Sequence, residues 1–118
     1  MPVVQLTTDR AVDAGVLGRL ASAVGAGLGL TPDAVVVQSI VAARSASGGG
    51  PAPAAVAVVR GRPRDPAAMR DAVERAAAAL AGALALDPDL VFVTWPQPGT
   101  AANGSGALPA PHPQGDHP

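Results

Sequence analysis

The chain alternates between two kinds of apolar pattern. Residues 3–7, VVQLT, read as a short strand. From Val12 onward the apolar positions Val12, Val16, Leu17, Leu20, Val24 and Leu28 recur at helical spacing and share one face. Leu30-Thr31-Pro32-Asp33 is a turn, and the β-branched run 34–41, AVVVQSIV, is a strand. Residues 44–53, RSASGGGPAP, form a flexible connection. The order then repeats. Residues 54–60, AAVAVVR, predict a strand, and Asp65-Pro66 a helix start with Asp as the cap. Met69, Val73, Ala77, Leu80 and Leu84 predict one helical face over 66–86, and 90–95, LVFVTW, a last strand after the turn Asp87-Pro88-Asp89.

The second half copies the first. LGLTPDAVVVQS (28–39) aligns with LALDPDLVFVTW (84–95) at an offset of 56, which also pairs Arg19 with Arg75 and Asp9 with Asp65. The expected fold class is α+β, β-α-β-β-α-β, with a four-stranded sheet and two helices on one face. One domain over 1–96 is expected, made of two β-α-β repeats at about 2–43 and 53–96. Residues 97–118, rich in Pro, Gly, Ala and His, form a tail that is expected to be partly disordered. Val35-Val36-Val37, Val58-Val59 and Val91-Phe92-Val93 are apolar without alternation, so both faces of the sheet are expected to be buried. Two helices cover only one face. The other calls for a partner, and a homo-oligomer is expected; the alternative is that the tail covers this face, for which it is too polar and Gly-rich.

Composition narrows the chemistry. The net charge is −1 and no basic tract stands out, so no nucleic-acid partner is expected. No run approaches the roughly 20 apolar residues that span a bilayer, and no charged leader precedes an apolar stretch. A cytoplasmic protein without a membrane partner is the expectation. Cysteine is absent, which removes disulfides and thiolate metal sites. The triple glycine 48–50 has no Lys-Ser/Thr after it and is not a phosphate loop. His112 and His117 lie in the tail, and no metal site or cofactor is expected.

Lysine is also absent: all eight basic residues are arginines. Arginine does not lose its proton in proteins. The amine left to act as a base near neutral pH is therefore the chain terminus. Removal of Met1 would expose the secondary amine of Pro2 at the start of a strand. An ordinary α-amine titrates near about 7.7–8.0, and burial or nearby cations favour its neutral form. A neutral amine takes a proton from carbon and its conjugate acid returns one.

MPVVQLTTDR, with proline opening a strand and an arginine after it, resembles the N-terminus of the tautomerase superfamily. That group includes 4-oxalocrotonate tautomerase, the macrophage migration inhibitory factor family and cis-3-chloroacrylic acid dehalogenase. The run from Leu30 to Val93 is most similar to the migration inhibitory factor arrangement, with Pro32 in a turn, AVVVQSIV, a GGG loop, and the turn DPD before the last strand. The resemblance implies a homotrimer whose sheets enclose a central barrel, with Pro2 in a pocket between subunits. It implies a tautomerase acting on a small α-keto or enol carboxylic acid, with Pro2 as the general acid–base group. Two features depart from the migration inhibitory factor pattern. Leu30 stands near that family's lysine position, and Phe92 and Thr94 replace its tyrosine and asparagine. The pocket keeps an aromatic wall, with Trp95 beside Phe92, but loses a phenolic hydroxyl and an amide.

Arginines are candidates to compensate. Arg60 ends the third strand, and Arg62 and Arg64 follow. The dehalogenase relatives carry substrate-binding arginines at about this place, and a guanidinium fork suits a carboxylate. Arg10 matches the arginine that follows the first strand in the single-unit enzymes. Gln38 and Arg44 are further candidates to reach a neighbouring subunit's site. Two alternatives stand beside the tautomerase. One is a non-catalytic trimeric binding or interaction module of the same fold. The other is a hydratase, dehalogenase or decarboxylase. Such relatives usually carry a tyrosine or carboxylate to activate water, and here tyrosine is absent and no strand carries Asp or Glu.

Overall fold

A computed structural model of the chain describes residues 1–44, 48–49 and 54–96, together with the backbone of 102–103 and 106–107. Four strands form one sheet: β1 Val3–Thr8, β2 Val36–Val41, β3 Ala55–Arg60 and β4 Val91–Thr94. Their spatial order is β2-β1-β3-β4. β1 pairs parallel with β2, and β3 pairs parallel with β4, while β1 and β3 run antiparallel at the centre. Two β-α-β units are thus joined edge to edge through their first strands. Helices α1 (Ala14–Leu28) and α2 (Pro66–Leu84) supply the two crossovers. Two short strands, β5 (Ala102–Asn103) and β6 (Gly106–Ala107), pair antiparallel with each other.

Alternation on the central strands decides where the core lies. Val4, Leu6 and Thr8 of β1, and Ala55, Ala57 and Val59 of β3, are buried, whereas their neighbours are half-buried or exposed. These positions pack against Val16, Leu20 and Val24 of α1 and Ala76 and Leu80 of α2. Burying a side chain such as Leu20 fully is worth about 1.5–3 kcal/mol. Both helices therefore lie on one face, as expected from the pattern. Among the described residues, the other face stays uncovered in the single chain, with Phe92 56 % and Ile40 49 % exposed.

The helix starts are set by carboxylates. Asp13 accepts from the Val16 amide at 3.0 Å, and Asp65 accepts from the Ala67 and Ala68 amides at 3.2 and 3.3 Å. Pro66 sits in the first turn, where its missing N–H is not needed. Val12 and Leu17 occupy the two positions of a hydrophobic staple across the Asp13 cap, both half-buried against the core.

Two expectations change. The repeat at offset 56 holds at the helix C-termini, Leu28 with Leu84, and at the following 3-10 turns, Pro32–Ala34 and Pro88–Leu90. It does not hold for Asp9 and Asp65, because Asp13 caps α1; α1 has 15 residues and α2 has 19. The buried stripe of α2 also shifts. Its fully buried positions are Ala72, Ala76 and Leu80, and the expected Met69, Val73, Ala77 and Leu84 flank it half-buried. Close helix contact explains the shift: a methyl group on Gly27 of α1 would lie 2.6 Å from Ala72 Cα. Small residues let the backbones approach, so alanines take the centre of the stripe. No helix among the described residues is long and apolar enough to cross a membrane.

Candidate functional site

Pro2 is fully buried at the entry to β1, while Met1 is 75 % exposed. The Pro2 carbonyl accepts from the Val36 amide at 3.0 Å, which ties the residue into the sheet. In the antiparallel register Val3 faces Arg60, so Gly61 falls beside Pro2. A methyl group placed on Gly61 would lie 3.5 Å from Pro2 Cα and 3.6 Å from Trp95 Cζ2. Pro2, Gly61 and Trp95 therefore form one cluster, with the proline ring enclosed and its nitrogen bonded to an exposed residue.

The candidate arginines are distributed around this cluster in different ways. Arg60 is exposed and donates through Nε to Gln5 Oε1 at 2.9 Å. Arg62 is exposed. Arg64 is half-buried, and its Nε is shut off from solvent with no hydrogen-bond partner among the described residues. Among the described residues, none of the three makes an ion pair; the pairs found are Arg10 with Asp9 and Arg75 with Asp71. Three cations within four residues of Gly61 give this end of the sheet a positive character, offset in the loop only by the capping Asp65.

Other candidates lie elsewhere. Arg10 stands beyond the far end of β1, with the whole six-residue strand, about 20 Å at 3.3 Å per residue, between it and Pro2. There it donates to Asp9 at 2.9 Å, and this hydrogen bond holds the Asp9 carboxyl below its usual range. Thr8, buried next to it, donates its hydroxyl to the Arg10 carbonyl. Phe92 pairs with Val56 on the uncovered face, and Thr94 with Val58. Of the two candidate wall residues, Phe92 and Trp95, it is Trp95 that meets the Pro2 cluster within one chain. A separate open cleft of about 300 Å³ runs between α2 and β4, lined by Pro66, Met69, Arg70, Val73, Val93, Thr94 and Trp95. It touches the Pro2 cluster through Trp95 alone.

Gly61 and Gln5 do not stand out in the sequence. Their signal is the β1–β3 register, and those strands are joined by a long connection containing α1 and β2 rather than by a tight turn that would fix the pairing. Gln38 of β2 is exposed, and Arg44 is exposed beyond that strand. His112, His117 and most of the tail lie outside the described residues.

The chain matches no family model and no curated protein. Solved structures give clear likenesses. A fused 4-OT, wild type and a symmetric trimer, is 19 % identical with a TM-score of 0.65, covering 92 % of this chain and 95 % of that one. MIF2 of Leishmania major is 19 % identical with a TM-score of 0.66, at 92 % and 97 % coverage. Pt0534 inactivated by 2-oxo-3-pentynoate is 14 % identical with a TM-score of 0.66, at 88 % and 93 % coverage. The fold is that of the tautomerase and macrophage migration inhibitory factor structures, and the chain spans nearly the whole of each.

Proposed function

We propose that this chain is a tautomerase acting on a small 2-oxo or enol carboxylic acid, with Pro2 as its general acid–base group after loss of Met1. The observation that carries the reading is the setting of Pro2: a fully buried ring against Gly61 and Trp95, preceded by a residue that protrudes into solvent. Removing that residue leaves a secondary amine at the mouth of an apolar enclosure. Burial favours the neutral amine, and the cations of Arg60, Arg62 and Arg64, which flank Gly61 beside it, favour it too. The neutral nitrogen takes a proton from the carbon next to the keto group. The ammonium so formed returns it to the other end of the enol system, so no net proton is consumed. A guanidinium binds the carboxylate and stabilises the charge that develops on the enolate oxygen.

The fold's company supports this reading, since fused 4-OT and Pt0534, which is inactivated by 2-oxo-3-pentynoate, share it. We further propose a homotrimer, in which copies of the chain cover the row of the open sheet face that carries Ile40 and Phe92 and leave the Arg60 end of it accessible. The experiment is ketonisation of enol phenylpyruvate and of 2-hydroxymuconate by wild type and Pro2→Ala. The proposal expects Pro2→Ala to lose at least about 100-fold in kcat/KM, the scale of a missing general base. Equal rates would remove Pro2 from the reaction.

A further inference from the structure

The open face of the sheet carries one charged side chain. Paired residues in register share a face, so Val3, Gln5 and Thr7 of β1 lie with Gln38 of β2 and with Val58 and Arg60 of β3. The remaining positions of that face are apolar or neutral, and none is an acid. Arg60 faces Val3 and Gln5 faces Val58, which makes Arg60 and Gln5 diagonal neighbours. Gln38 faces Gln5 directly. The three side chains are linked: Arg60 Nε donates to Gln5 Oε1 at 2.9 Å, and Gln5 Nε2 donates to Gln38 Oε1 at 3.4 Å.

This linkage has a chemical consequence. With its NH2 group on Gln38, the Gln5 amide turns its carbonyl toward the guanidinium; the reverse orientation would set N–H against N–H. A guanidinium holds a carboxylate either side-on, through Nε and one Nη, or end-on, through both Nη atoms. With Nε engaged by Gln5, the side-on edge is closed. The end-on pair remains, with four N–H donors. Because the amide is neutral, it fixes the fork without cancelling its charge, which a glutamate in its place would do.

We propose that Gln5 is the positioning residue of Arg60, holding its guanidinium by Nε over the open face so that it offers an end-on fork to a ligand carboxylate. That this carboxylate is the substrate's rests on the tautomerase reading. The test is a double-mutant cycle in the full chain, using Gln5→Met, Arg60→Met and the double variant. Met keeps the length of Gln and removes the acceptor. Two probes are used: enol phenylpyruvate for kcat and KM, and 3-phenylpropanoate, which has a carboxylate and no keto group, for Kd by calorimetry. Gln5→Met is expected to raise KM and Kd about fivefold with little change in kcat, and to have no effect in the Arg60→Met background. Gln5→Glu, which keeps the acceptor but opposes the charge, is expected to weaken 3-phenylpropanoate more than Gln5→Met does. The methyl ester of the same probe is expected to be insensitive to every variant. An equal loss in both backgrounds, an unchanged Kd in folded Gln5→Met, or no binding of 3-phenylpropanoate by wild type would overturn the inference. The Kd arm involves no proton transfer at Pro2, so it reads the inference even if Pro2→Ala proves fully active.

Discussion

At the scale of single residues, the enclosure around Pro2 depends on what is not there. Gly61 lets β3 pass close to the proline and the Trp95 edge, with room for one methyl group at ordinary contact distance. Gly61→Ala should therefore be tolerated. Gly61→Val should wedge Pro2 and Trp95 apart and lower kcat/KM about tenfold or more, since small misplacements at a reacting group are costly. Unchanged kinetics in Gly61→Val would mean that the contact is irrelevant to the site. A second residue carries strain of its own. Ala85, the C-cap of α2, has φ 51° in the left-handed region, where the equivalent Gly29 of α1 sits at φ 72°. Ala85→Gly should raise stability by about 0.5–1 kcal/mol in urea unfolding, relief of the Cβ clash outweighing the extra freedom of the unfolded chain. Pro2 stands out in the sequence as a candidate because Met-Pro coincides with a complete lack of lysine and tyrosine. Gly61, Gln5 and the strained Ala85 were not. The first two depend on a strand register, and Ala85 is an ordinary helix former in an unusual place.

At the scale of elements, both helices and all four main strands were legible from period and caps. Asp65-Pro66 marks the start of α2 as expected, and the Asp71–Arg75 pair forms at 2.8 Å. The start of α1 is less plain in the sequence, because Asp9 and Asp13 both precede it; Asp13 accepts from the Val16 amide, while the Asp9 carboxylate is engaged by Arg10. Asp65→Ala and Asp13→Ala should each cost about 1 kcal/mol of stability, seen as parallel shifts of the urea midpoint. A change below a few tenths for either would show that its cap is dispensable. The helix pair makes a sharper demand. Gly27 approaches Ala72 so closely that any side chain there forces the helices apart. Gly27→Val should cost about 1–3 kcal/mol or more through overpacking. The sequence hid this contact, since the pattern of large apolar residues pointed to Met69 and Val73 rather than to Ala72 and Ala76 at the centre of the packed stripe.

At the scale of the whole molecule, two β-α-β units share one core, and the sheet's second face is left open. Uninterrupted valines predicted such a face, and Phe92 and Ile40 make its most exposed apolar points. In the proposed trimer these side chains are covered by other copies. Phe92→Asp should then shift the chain from trimer to monomer in light scattering, and a trimer that survives the substitution would place the interface elsewhere. The sequence does not show how copies dock, because that depends on side chains from separate subunits meeting at a surface. The role proposed for the Pro2 nitrogen can be read by intact and peptide mass spectrometry of the purified chain after exposure to 2-oxo-3-pentynoate. The expected product is a chain lacking Met1 that gains one reagent mass on the Pro2 nitrogen, whose N–H adds across the triple bond with no leaving group. A chain that keeps Met1, or that takes up the reagent at an arginine or not at all, would contradict that role.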